Sequence, residues 1–143
     1  MKSLFAVTAI IEVGAGIALL VCPLLIAIIL LGAPLITPAA LTVARVCGAG
    51  LLSLGVACWL SRSDSRSPAA SGLLAAMLIY NAAVVAIFAY AALGFGLHGV
   101  ALWPAVAVHA AMAVWCGANI PPIFRRLANP VTNSSAGETK PQS

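Results

Sequence analysis

The chain has 143 residues, of which 63% are hydrophobic and only 7% charged, with a formal net charge of +4. Soluble domains carry about a quarter charged residues, so this composition excludes a soluble globular fold. The same apolar excess excludes disorder for the body of the chain and leaves a single integral membrane domain.

Taken in order, residues 4–22 form an apolar run interrupted only by Glu12. The next apolar stretch, 23–32, is too short to span alone. Pro23 removes a backbone donor at its start, while Gly32, Pro34 and Pro38 break the helical pattern beyond it. The expectation is a first helix that kinks at Pro23, or one followed by a short interfacial helix. A fifth span reaching Thr37 is the less favoured alternative. Residues 39–60, which include Arg45, 69–93 and 100–120 are each close to the roughly 20 residues that cross about 30 Å of hydrocarbon. Lipid leaves every backbone amide to be satisfied within its own segment, and the runs are apolar on all sides, so helices rather than a barrel are expected. The fold class is thus all-α, a polytopic transmembrane four-helix bundle over residues 1–127. The polar stretch 128–143 has too little apolar surface to offset its ordering entropy and is expected to be a disordered cytoplasmic tail.

Orientation follows from the basic residues. With a cytoplasmic N-terminus, Lys2, Arg62, Arg66, Arg125, Arg126 and Lys140 all lie inside, and the opposite loops, 32–38 and 94–99, contain no Lys or Arg. That is the positive-inside pattern of a bacterial inner-membrane protein with both termini cytoplasmic. Trp59, Trp103 and Trp115 fall toward helix ends, where headgroups favour amphipathic rings. Glu12 in mid-run and the lack of a small-x-small cleavage site argue for a retained helix rather than a signal peptide.

The informative residues are the polar ones inside the spans. Glu12 lies about 12 Å from the cytoplasmic face, Asn81 about 16–18 Å, and His109 about 15 Å from either face. Three helices therefore place a polar side chain near one midplane layer. Arg45, about 9 Å below the outer face, has a side chain long enough to reach toward it. The candidate polar cluster is Glu12, Arg45, Asn81 and His109, with Tyr80 and Trp103 as cavity-lining candidates.

Two roles are open to this cluster. In the architectural one, Glu12 and Arg45 form an ion pair that registers the first two helices, while Asn81 and His109 make interhelical hydrogen bonds. Thr8, Ala15 and Gly16 beside Glu12, and Ala105 and Ala113 beside His109, allow close helix approach. In the functional one, Glu12 is a protonation switch with His109 as relay. Tyr80 beside Asn81 is also suited to a small cavity for a hydrophobic ligand.

No catalytic, cofactor or metal site is expected. His98 and His109 lie about 16 Å apart along one helix direction and cannot grip one iron. Cys22, Cys47, Cys58 and Cys116 form no C-x-x-C; Cys58 and Cys116 share a depth near the cytoplasmic face and read as reduced packing residues. No Ser/His/Asp set, phosphate loop or paired carboxylates occur, so an enzyme is not expected. A nucleic-acid partner is excluded by the lack of a basic face.

The break at Cys22-Pro23, the stretch Ala44-Arg45-Val46-Cys47-Gly48-Ala49-Gly50-Leu51-Leu52-Ser53-Leu54-Gly55, and Leu102-Trp103-Pro104 with His109 together resemble the small four-helix bacterial membrane proteins called DoxX-like. That resemblance covers about three quarters of the chain and implies a membrane bundle without a settled activity. Ile11-Glu12-Val13, with Gly14 and Gly16, is also similar to the first helix of small multidrug resistance transporters, which are four-helix dimers with an essential glutamate there. The third helix lacks that family's Tyr/Trp/Gly signature, the second carries Arg45, and only Glu12 carries over. The functional expectation is a non-enzymatic membrane component: an accessory subunit of a larger membrane complex, or a small hydrophobic-ligand binder. The alternative is a homodimeric proton-coupled exporter of lipophilic cations.

Overall fold

The computed structural model describes residues 1–64 and 67–120. Arg66, Arg125, Arg126, Lys140 and the expected tail over 128–143 lie outside them. Among the described residues the chain is all-helical: α1 (Lys2–Val21), α2 (Pro23–Leu31), α3 (Pro38–Ser61), α4 (Pro68–Phe95) and α5 (Leu102–Asn119). Three of these, α1, α3 and α4, are long and apolar enough to cross a membrane.

Local chemistry sets the boundaries. Both α3 and α4 begin with a hydroxyl residue followed by proline. Thr37 Oγ1 accepts from the Ala40 N–H and Ser67 Oγ from the Ala70 N–H, each at 3.1 Å, and proline fills the first helical position, where its missing N–H costs nothing. The α1–α2 break falls where the sequence puts it. Cys22 leaves helical geometry (φ −128°, ψ 55°), its N–H still bonds Ala18 O, and its carbonyl already accepts from Ile26 N. Pro23 thus opens a new helix with no intervening loop. Gly32 ends α2 at φ 73° and Gly96 ends α4 at φ 66°, left-handed conformations that glycine adopts without a Cβ penalty.

The helices pack as two antiparallel pairs, α1 with α3 and α4 with α5. In the first pair the backbones nearly touch. A Cβ placed on Gly16 would stand 2.6 Å from Leu52 N and 2.8 Å from Gly48 O, and one on Gly55 would stand 2.9 Å from Val13 N. Only glycine permits this approach, which is how helices associate where lipid supplies no hydrophobic drive between them. The pairs join at the end that carries Lys2 and Arg62. There Leu4, Phe5 and Ala9 of α1, Cys58 of α3, Ala70, Leu74 and Met77 of α4, and Met112 and Cys116 of α5 form one buried cluster. At the opposite end α2 docks on the loop before α5: Ile29 O accepts from Ala101 N at 3.0 Å, and a Cβ on Gly99 would fall 2.3 Å from the Leu30 carbonyl. The short second helix is therefore tied to the bundle.

Candidate functional site

The buried stripe of α1 runs Phe5, Thr8, Ala9, Glu12, Gly16, the i, i+3/i+4 spacing of one helical face. Glu12 is thus carried into the bundle by the same face that makes the glycine contact, and it is only 3% exposed. Across from it, the Tyr80 hydroxyl of α4 lies within interaction range of the Glu12 carboxyl. One turn nearer the Lys2 end, Thr8 is 2% exposed and its Oγ1 has no hydrogen-bond partner among the described residues.

Asn81 and His109 complete the layer. Asn81, 1% exposed, donates from Nδ2 to Met77 O of its own helix at 2.7 Å. Its Oδ1 lies 2.8 Å from His109 Nδ1 of α5. The half-buried His109 ring also meets Tyr80 and Phe88 edge-on, with centroids 5.7 and 6.4 Å apart. One aromatic, Tyr80, thereby stands against the His109 ring and within interaction range of the Glu12 carboxyl. Of the three residues expected at one depth, Asn81 and His109 meet directly, and Glu12 is linked to them only by way of Tyr80.

Arg45 is not part of it. The residue is exposed, and the α1–α3 register explains why. Gly48 lies against Gly16 and Leu20, so Arg45, one turn further out, is level with the end of α1, roughly 13 Å along the axis from Glu12. The buried line of α3 passes through Gly48, Gly55 and Cys58, and Arg45 projects away from it. The expected Glu12–Arg45 ion pair is therefore not formed. The other described basic side chains also stand elsewhere: Lys2 is exposed, and Arg62 stacks 3.5 Å over the Trp59 ring and donates to Trp59 O at 2.9 Å. Trp103, the second cavity-lining candidate, is 51% exposed on the outside of α5 and lines no interior site. Ala15 likewise faces outward.

Sequence reasoning missed the proximity of Tyr80 to Glu12 and the unpartnered Thr8 hydroxyl on the Glu12 face. The i, i+4 spacing of Thr8 and Glu12 was the available signal for the second. Phe88, one edge of the His109 environment, had none. Among the described residues, no three His, Cys, Asp or Glu side chains converge as a conventional metal ligand set.

What the arrangement offers chemically is a carboxyl, a phenol, a threonine hydroxyl and an imidazole in low-dielectric surroundings, held between two helix pairs. Comparison of the chain with protein-family models, curated proteins and solved structures found no match.

Proposed function

We propose that the chain is a four-span, non-enzymatic protein of the bacterial inner membrane, with α5 as the fourth span and both termini cytoplasmic. Its Glu12 layer is the recognition site for a small hydrophobic ligand bearing a cationic or hydrogen-bond-donating group. The observation that carries this reading is a carboxyl buried near mid-span with no described basic side chain against it. An intramembrane ionisable group is costly, about 2.5–3.5 kcal/mol on insertion scales, and ordinarily marks a pathway or ligand. An unpartnered threonine hydroxyl on the same face supports it, because a buried polar group without a partner costs free energy that a ligand can recover. Such a site serves equally a free-standing binder and an accessory subunit of a larger membrane complex. The bilayer is the solvent in either case.

The test is binding of tetraphenylphosphonium, a lipophilic cation, to the full chain in lipid nanodiscs. Glu12→Gln should weaken binding strongly and Tyr80→Phe less, with helicity unchanged in both. Wild-type affinity in Glu12→Gln would refute the reading.

A second reading, a homodimeric proton-coupled exporter with Glu12 as protonation switch, is favoured by the position of Arg45, which does not neutralise the carboxyl. It requires that reconstituted protein move protons when the lipophilic cation is added, and that Glu12→Gln abolish this movement. Binding without proton movement would leave the binder reading and exclude the exporter.

A further inference from the structure

Sulphur is concentrated in one place in this molecule. The chain has three methionines and four cysteines. Four of the nine buried residues in the core cluster at the Lys2 end carry sulphur, namely Cys58, Met77, Met112 and Cys116, and the third methionine, Met1, packs against the same cluster. Seven sulphur-bearing residues in 143 would by chance contribute fewer than one to a group of nine. Leucine, isoleucine and valine are abundant in the chain, so apolar filling alone does not call for this choice.

The donors come from three helices and both helix pairs: Cys58 from α3, Met77 from α4, Met112 and Cys116 from α5. Met112 and Cys116 are one turn apart on the same face of α5. The Asn81–His109 bond fixes the α4–α5 register, so that Met77, one turn from Asn81, is level with Met112 and Ala113. Cys58 and Cys116 are fully buried and free, and both pack in this one cluster. The other two cysteines, Cys22 and Cys47, are exposed and belong to no such group.

We propose that Cys58 and Cys116, assisted by the thioethers of Met77 and Met112, form an intramembrane site for a soft monovalent metal ion of the Cu(I) class. Thiolate and thioether ligands select Cu(I) over the harder divalent ions, which prefer oxygen ligands. Binding is not a redox step. Each thiol gives up its proton as its sulphur bonds the metal, two protons leave to solvent, and copper enters and stays as Cu(I). Two thiolates and one Cu(I) leave a single net negative charge. The site borders the Glu12 layer, whose carboxyl is within electrostatic reach of Cys58, but it does not depend on the ligand assigned to that layer.

The experiment is competition for Cu(I) between a chromophoric chelator and the full chain in nanodiscs, under reducing conditions. The reference protein is the Cys22→Ser/Cys47→Ser variant. It should retain one Cu(I) per chain with a sulphur-only first shell by X-ray absorption. Added Cys58→Ser or Cys116→Ser should weaken binding more than about 100-fold, beyond the range seen when only outer-shell partners are lost. Met77→Leu and Met112→Leu, which conserve volume, should weaken it by about tenfold while leaving the thermal unfolding transition nearly unchanged. Loss of copper from the reference protein, or undiminished binding in Cys58→Ser and Cys116→Ser, would overturn the proposal. A first shell of nitrogen or oxygen in the reference protein would do the same, and that measurement needs no site variant to fold.

Discussion

His109 and Asn81 hold each other in one defined chemical state. Asn81 Nδ2 is committed to Met77 O, so the amide's other atom, Oδ1, an acceptor only, faces the imidazole at 2.8 Å. The ring nitrogen it meets must therefore be the donor, and His109 carries a proton on Nδ1. Its Nε2 is left as the atom that can gain or lose a proton, with Tyr80 and Phe88 packed against the ring edge-on.

This bond joins α4 to α5. A double-mutant cycle with Asn81→Ala and His109→Phe should give a coupling energy of about 0.6 kcal/mol, the average for interhelical hydrogen bonds in lipid. Reversible unfolding in mixed micelles measures it. Additive single effects would show that the pair carries no mutual stabilisation.

The α1–α3 approach predicts an asymmetry among glycines on one helix. Gly16→Ala should destabilise the protein by about 1–3 kcal/mol, because its new Cβ meets backbone of α3 rather than a movable side chain. Gly14 has nothing within 4 Å of its Cβ position, so Gly14→Ala should be neutral, or stabilising by up to about 1 kcal/mol through helix propensity. The same unfolding assay distinguishes the two.

Because Arg45 is exposed and distant from Glu12, the two should not be coupled. Arg45→Leu should leave the infrared band of the Glu12 carboxyl unchanged, and Glu12→Gln with Arg45→Leu should be additive within about 0.3–0.5 kcal/mol. A double variant more stable than Glu12→Gln alone would indicate a pairing across the helix. By contrast, Tyr80→Phe should shift that infrared band, since the phenol lies within interaction range of the carboxyl.

The proposed orientation predicts opposite labelling at the two ends of α3. In a Cys22→Ser/Cys47→Ser background, Ile36→Cys should react with an impermeant maleimide on intact spheroplasts. Ser63→Cys should react only after permeabilisation. Both native side chains are exposed, so reactivity reports the side of the membrane rather than burial.

Membrane composition, helix positions and the break at Cys22-Pro23 were all legible in the residues themselves. Hydropathy over a window, a proline without its N–H, and Ser/Thr-Pro starts are local properties, and α1, α3 and α4 follow them closely. Counting 1.5 Å per residue sets Glu12, Asn81 and His109 at similar depths; the structure joins Asn81 to His109 and sets Tyr80 against His109 and within interaction range of Glu12.

Rotation about each helix axis was not legible. In a soluble helix a polar face announces which side is buried, but these helices are apolar all round, so the pattern that fixes azimuth is missing. Arg45 and Ala44 are adjacent in the chain and nearly 100° apart around α3, and nothing in composition says which of them faces α1. That was decided by the glycines at 16, 48 and 55, whose absent side chains let two backbones meet and so set the register and rotation of α1 on α3. Residue order alone establishes an all-helical chain with helices apolar enough to cross a membrane. The packing of the helices was needed to show that Glu12 faces Tyr80 rather than Arg45, and that the sulphur of three helices gathers in one buried cluster. Both depend on which faces of separate helices turn toward each other.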